Sequence, residues 1–157
     1  GDTAAIYAIH AASFPTEVEA RLVDLLRTSG RLQASLVAEV DDVIVGHIAF
    51  SPVIAGDALP GAGLAPLAVT PSHRRQGVAA ALVTAGLEAC RAAGISWAVV
   101  LGEPAYYARF GFLSAPQFGL TDEYGGGDAF QVMELTAGAL PAGAGLVRYA
   151  PEFASLE

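Results

Sequence analysis

A mixed α/β domain is predicted for this chain of 157 residues, and three features of the sequence predict it. The apolar run 64–69, LAPLAV, is short and bounded by turn residues, as a buried strand is. Beyond a basic turn, residues 76–93 are mostly strong helix formers closed by Gly94, and residues 97–101, WAVVL, are apolar again. Strand, helix and strand joined by a right-handed crossover lie parallel and side by side, with the helix across one face.

The elements follow in order. Asp2 is placed to cap a first helix over 3–13, with Ile6, Ile9 and His10 on one face, and Phe14-Pro15 breaks it. Thr16, Glu17, Val18 and Glu19 read as a capping box for a second helix, whose stripe is Val18, Leu22, Leu25 and Leu26 and whose stop is Gly30. Strand patterns at 35–40 and 43–50 flank Asp41-Asp42 as a hairpin turn, the second running on to Pro52 or Ile54. A Gly- and Pro-rich loop, 55–63, leads into the strand 64–69. Pro66 has no N–H to give to a ladder, so this strand is expected to part from a neighbour near it. The helix is expected to begin near Gln76. A short helix over 106–110, an irregular stretch over 113–128, a strand over 130–135 and a tail pairing through 146–149 complete a single domain, 1–157. Gly125, Gly126 and Gly127 read as either a mobile substrate loop or a surface turn.

Composition excludes several classes. The apolar share is 54%, the charged share 15% and the formal net charge −8, with arginine supplying all eight basic residues. Nucleic acid, which needs a basic patch, is not an expected partner. No apolar stretch reaches the ~20 residues that span a bilayer, and GDTAAIYAIH has no basic region followed by an apolar core, so no membrane partner and a cytoplasmic location are expected. The single Cys90 lies within the long helix and reads as a buried thiol. With no Cys/His cluster, no metal is expected.

The chemistry is expected where strand 64–69 turns into the helix. A helix beginning there leaves its first N–H groups unpartnered, with the positive dipole end facing the turn. Gly77 removes the Cβ where a ligand would approach, Ala79 keeps the next position small, and Arg74 and Arg75 place positive charge against an acidic background. A phosphate-bearing ligand fits that arrangement. Ligands of open α/β sheets bind beyond the carboxyl ends of the strands, which here carry residues 70–77 and 102–107. The basic turn and the tyrosine pair are therefore expected to converge.

Two segments resemble the GNAT superfamily of N-acetyltransferases. Arg74, Gly77 and Ala79 match its pyrophosphate signature, Arg or Gln, two residues, Gly, one residue, Gly or Ala. Residues 101–112, LGEPAYYARFGF, resemble its second recurring segment, with Tyr107 four residues ahead of Gly111-Phe112. With LAPLAV and the closing VRYAPEF, the resemblance covers nearly the whole chain and is to the YhbS-like bacterial branch. It implies a mixed, mostly antiparallel sheet with a central parallel pair splayed at the cofactor cleft and helices on both faces. The superfamily usually opens with a strand, whereas this sequence opens on a helical pattern, a departure that suggests a trimmed N-terminus.

The implied activity is transfer of an acetyl group from acetyl-CoA to a primary amine of a small molecule or peptide. The resemblance assigns the pantetheine arm to backbone groups of Leu67, Ala68 and Val69, and the pyrophosphate to Arg74, Arg75, Gln76, Gly77, Val78, Ala79 and Ala80. Tyr107 is the expected general acid, since a phenol with a reference pKa near ~10 is protonated at neutral pH and can give its proton to a departing thiolate. Residues 64–69 contain no carboxylate, so Glu103 is the expected base, with Glu17, Glu19 and His47 behind it. His10 and His73 read as structural. An acyl-CoA-binding sensor without turnover stays open as the alternative, favoured by that missing carboxylate. A nucleotide-binding domain is weaker, lacking the Walker lysine. Exposed edge strands in the C-terminal half could pair two subunits as a homodimer.

Overall fold

The computed structural model describes residues 2–156, with side chains described to residue 153. The chain groups into two compact units, Gly1–Ser51 with Ala65–Gly86 and Pro151–Glu157, and Pro52–Leu64 with Leu87–Ala150. Three of the four boundaries fall inside two strands and the long helix, and the fourth lies between Ala150 and Pro151.

In the first unit, α1 (Thr3–Ser13) buries Ile6, Ile9 and His10, the face expected from the sequence. Asp2 occupies the N-cap position without a side-chain cap bond. Helix α2 (Val18–Thr28) corrects the expected capping box: Glu17 is at the N-cap, no side chain caps the helix, and Thr16 Oγ1 accepts from Val18 N at 3.3 Å. Its buried stripe is Ala20, Leu22, Val23 and Leu26, while Leu25 is 46% exposed. Gly30 ends it, with Gly30 N donating to Arg27 O and Arg31 N to Leu26 O.

Strand β1 (Ala34–Val40) pairs antiparallel with β2 (Val43–Ala55) from Ala34↔Phe50 to Val40↔Val43, with a bulge at Ala38/Glu39. Asp41 and Asp42 make the turn at φ 52° and 64°, the left-handed conformations of a two-residue hairpin, here without glycine. The unit also takes in the end of β3 (Gly61–Val69) and the start of α3 (Val78–Ala92). This helix begins later than expected, because Arg75 and Gly77 have φ of 63° and 83° and cannot belong to it.

Helix α3 lies close on β2. A Cβ at Gly86 would run into the ring of Phe50, which is fully buried. A Cβ at Gly46 would stand 3.0 Å from Leu82 Cδ1 and 3.2 Å from Val78 Cγ1.

A polar chain crosses the interior of the same unit. His10 Nε2 and His47 Nδ1 are 2.8 Å apart, His47 Nε2 and Ser35 Oγ 2.7 Å, and Arg27 Nη2 donates to Ser35 Oγ at 3.5 Å. Both histidines are fully buried, and His10 stacks on Phe14. Such a chain needs one donor and one acceptor at the His–His contact, so the accepting ring at least is neutral. His10 Nδ1 is buried with no partner. The tautomer that leaves it a bare acceptor, with His10 donating to His47 and His47 to Ser35, avoids an orphaned N–H. Burial lowers His10 to about 4, and burial, then His10, then Arg27 lower His47 to about 3.

The second unit adds β4 (Trp97–Leu101), β5 (Leu113–Ser114), β6 (Leu120–Asp122), β7 (Phe130–Glu134) and β8 (Gly145–Arg148), and the strand order of the sheet is β5-β7-β4-β3-β2-β8-β6. Strand β4 (Trp97–Leu101) is parallel to β3 through Ala62↔Ala98 and Gly63↔Val99, as the crossover predicts. That register ends ahead of Pro66, where the sequence places the parting. β7 (Phe130–Glu134) is antiparallel to β4, and β5 (Leu113–Ser114) to β7. The stretch expected to be irregular holds β5 and β6 (Leu120–Asp122), and β6 makes a second parallel pair with β8 (Gly145–Arg148). The latter pairs antiparallel with β2 at Ile54 and Ala55. Trp97 is fully buried and its Nε1 donates to Leu59 O. Cys90 is buried too, its thiol pushed up to about 11 by burial.

Alanine in place of a helix-interior glycine usually gains about 0.5–1 kcal/mol, whereas overpacking a filled core costs about 1–3 kcal/mol. With Phe50 fully buried the second effect wins. Gly86→Ala should therefore be net destabilising in urea unfolding, and a stabilised variant would show that the ring yields freely.

The histidine pair sets a pH dependence. Unfolded rings titrate near 6.5 and folded ones near 4 and 3, so the unfolded chain binds protons first as the pH falls. Stability is full above 6.5 and is lost progressively down to those values, each ring adding a slope of up to about 1.4 kcal/mol per pH unit. His47→Asn should flatten the measured loss between pH 6.5 and 4. An unchanged slope would place the acid sensitivity elsewhere.

Candidate functional site

The first unit presents the strand end, the basic turn and the helix start. Leu67 is half-buried, Ala68 and Val69 are buried, and Thr70 N donates to Val45 O at 2.8 Å. A 3-10 turn, Pro71–His73, follows. His73 Nδ1 lies 3.1 Å from Thr70 Oγ1 and 2.9 Å from Ser72 Oγ, and Gln76 Nε2 donates to Ser72 O at 3.3 Å. The turn is thus braced by its own polar groups.

Arg74 and Arg75 part company. Arg74 Nε donates to Val69 O at 2.9 Å and its Nη2 to Ser13 Oγ at 3.4 Å, so its guanidinium ties the end of β3 to the end of α1. Arg75 is exposed and makes no ion pair or side-chain hydrogen bond among the described residues. Gly77 follows at φ 83°, a conformation that costs glycine little, with open space where a Cβ would stand.

The first helical bond runs from Ala81 N to Gly77 O at 3.0 Å. The N–H groups of Val78, Ala79 and Ala80 therefore have no partner within the helix and lie at its positive end. Beside them a groove of about 460 Å³ runs between β1 and α3, lined chiefly by apolar side chains including Leu36, Val40, Val78 and Leu82.

The second unit carries the tyrosine segment. β4 ends at Leu101, and Gly102 N donates to Ala129 O at 3.0 Å, one step past the strand. Glu103 is exposed at the N-cap of α4 (Pro104–Tyr107), its carbonyl accepting from Tyr106 N and Tyr107 N at 3.1 Å each. Pro104 suits the first helical position, where its missing N–H costs nothing. A 3-10 turn, Ala108–Phe110, extends the helix and ends at Gly111, φ 105°.

That left-handed glycine turns the chain so that buried Phe112 meets the Tyr107 ring edge-on at 5.8 Å. This is the physical content of the tyrosine-to-Gly-Phe spacing. Tyr106 also packs edge-on against Tyr107 at 5.0 Å, and Arg109 lies 4.6 Å over the Tyr106 ring. Tyr107 is half-buried, and burial, then Tyr106, push its phenol up to about 12. It is firmly protonated at neutral pH.

The reserve bases are placed less favourably. His47 has both ring nitrogens engaged in the buried polar chain. Glu17 pairs with Arg21 at 3.3 Å on an exposed face of α2, and Glu19 stands in the first turn of that helix. Sequence reasoning gave no separate role to Gly102, within the tyrosine segment, and missed Gln131, whose Nε2 donates to Gly102 O at 3.2 Å. A glycine after an apolar strand reads as ordinary punctuation, and a lone glutamine in a strand carries no signal of its contacts.

Among the described residues no helix is long and apolar enough to cross a membrane, and no cluster of three or more His, Cys, Asp or Glu is gathered to hold a metal ion.

Comparison with known proteins bears on this geometry. The sequence pattern of the acetyltransferase (GNAT) family matches residues 3–112. YhbS of Escherichia coli K12, described as an uncharacterized N-acetyltransferase, is 42% identical over 155 residues, covering 97% of this chain and 93% of the relative. The crystal structure of E. coli YhbS in complex with CoA superposes with a TM-score of 0.91 at 41% identity, covering 98% of this chain and 87% of that one. A GNAT acetyltransferase from Brucella melitensis in complex with acetyl-CoA gives 0.81 at 35% identity, covering 97% and 92%. The mixed sheet with its parallel pairs is the fold of these proteins, and this chain belongs to the GNAT family of acetyltransferases.

Proposed function

We propose that the chain is an acetyl-CoA-dependent N-acetyltransferase acting on a primary amine of a small molecule or peptide. The observation that carries this reading is the exposed helix start at Gly77–Ala80, with free N–H groups and an unpaired Arg75 beside it, in a chain 41% identical to a relative solved with CoA. A diphosphate is what such a start accommodates, because its oxygens accept from backbone donors that cost nothing to release.

The N–H groups of Val78, Ala79 and Ala80 hold the phosphates, with Gly77 permitting close approach and Arg75 adding charge. Leu67, Ala68 and Val69 offer backbone groups to the pantetheine arm. Acetyl-CoA, when bound, supplies the acetyl group as an activated thioester. Tyr107 Oη gives a proton to the departing sulfur, a role suited to a phenol kept protonated by burial. Glu103, exposed at the start of α4, takes the proton that the amine must lose. The net charge of −8 draws cationic amines toward the surface without selecting one. The homodimer and the cytoplasmic location remain part of this proposal.

Thermal unfolding with acetyl-CoA, CoA and ATP tests the binding half. A ligand at a hundredfold excess over Kd adds about 2.7 kcal/mol to a folded state that alone binds it. Acetyl-CoA and CoA should stabilise the chain while ATP does so less. Arg75→Ala should weaken both about tenfold, the loss of one charge-assisted contact. This is the cleaner variant, because Arg74→Ala would also release Val69 O and Ser13. No stabilisation by either thioester or thiol would sink the reading.

Release of free CoA thiol across a panel of amines tests the catalytic half. Tyr107→Phe should lower kcat by about 100-fold, with the acetyl-CoA Kd unchanged. Binding without turnover on any amine would instead favour a sensor of acyl-CoA.

A further inference from the structure

We propose that Gly102 and Gln131 form a socket that positions the Tyr107 phenol, and that both are positioning residues for the transfer reaction. The inference rests on the reading of Tyr107 as the proton donor. Its geometric half stands independently of that role.

The socket has a floor and a clamp. The floor is Gly102: a Cβ there would stand 2.5 Å from Tyr107 Cε2 and 3.1 Å from its Cδ2, so the ring occupies the space that any other residue would fill. The clamp is Gln131 on β7, 2% exposed, whose Nε2 donates to Gly102 O and to Ala129 O at 3.2 Å each. With Gly102 N bonded to Ala129 O, both polar groups of Gly102 are tied to β7 or the residue preceding it. The peptide that launches Glu103, and hence the entry angle of α4, is fixed by these bonds.

α4 is a single turn whose N–H groups at 106 and 107 both go to Glu103 O. So short a helix does not hold its own direction. Phe112 and Tyr106 close the socket from the sides. Gly102, which meets the ring just beyond β4, and Gln131, which holds Gly102 from β7, are uncharged, and the ionisable neighbour of the phenol is Tyr106 on the same turn, with Arg109 over that ring. A phenol seated this way is shielded from water, in line with its value near 12.

Spectrophotometric titration of tyrosinate, with Tyr107→Phe subtracted in each background, reads the seating of this one ring without any turnover. Gly102→Ala displaces the ring by contact, and Gln131→Leu takes the side-chain donor from Gly102 O while Ala129 O keeps Gly102 N. In both variants Tyr107 should titrate at least about one pH unit lower, toward the ordinary phenol value near ~10. Turnover should fall about tenfold or more in kcat, with the KM for acetyl-CoA within about twofold. In a Tyr107→Ala background the loss of stability from Gly102→Ala should disappear, because the ring it strikes is gone.

A Tyr107 titration unmoved by both substitutions overturns the socket. So does a Gly102→Ala destabilisation that persists in the Tyr107→Ala background, a result readable even where one single variant folds poorly. A lowered titration with unchanged kcat upholds the socket and removes Tyr107 as the proton donor.

Discussion

Close approach between α3 and β2 is the constraint on which the first unit depends. Glycine stands on the strand at Gly46, beneath Val78 and Leu82, and on the helix at Gly86, beneath Phe50. Contacts near both ends of the helix segment set its height above the strand, so the helix start at Gly77 is placed by packing and not by its own turn. Positioning of that kind is rigid, since interiors are packed as densely as organic crystals and a single methyl group is felt. A phosphate-binding helix start on a loose helix would spend binding energy on ordering it. Here the ordering is done by folding.

Elements set by short local patterns were legible. The face of α1, the Asp41-Asp42 hairpin and the β3–α3–β4 crossover follow from spacing alone, because each is a local pattern with one cheap solution. Pro66 marked where the β3–β4 register ends, since the missing N–H acts the same way in any context. What failed was decided by tertiary contacts. The Thr16–Glu19 pattern has the residues of a capping box, but Val18 N is drawn to Thr16 Oγ1 and α2 starts beyond Glu17. β5 and β6 are two and three residues long and exist only through partners distant in sequence, β7 and β8. Leu25 completes an apolar stripe in the sequence and is nonetheless exposed.

The local geometry of the candidate site was legible to the same degree and for the same reason. Gly77 and the Tyr107-to-Phe112 spacing are local devices, a left-handed glycine before a helix and another that turns an aromatic back on its neighbour. The engagement of His47 was not legible, although His10 reads as structural. His10 and His47 lie on different elements, and nothing in the sequence says that each occupies the other's hydrogen-bonding nitrogen. A histidine among candidate bases looks available until its partners are known, and these two are spent on keeping a buried chain neutral and connected.

Arg74 and Arg75 show most directly why a motif does not settle roles. They are adjacent, identical in chemistry and equally basic in the sequence. Arg74 is occupied: binding a phosphate with its Nε would first require giving up Val69 O, a charge-assisted bond of about 1.5–3 kcal/mol if shielded and less where water can replace it. Arg75 has no such bond to surrender, and its left-handed backbone, φ 63°, turns it away from the path its neighbour takes. Under the proposed function the two arginines therefore divide the work. One holds the strand end that would face the thioester arm, and the other is left free to meet the phosphates. The same separation runs through the tyrosine segment. Gln131 Nε2 and both polar groups of Gly102 are partnered inside the fold, and the phenol packed on Gly102 is kept protonated by burial. In the proposed function, groups with internal partners build the frame, and action on the ligand falls to Arg75 and the free N–H groups beside it.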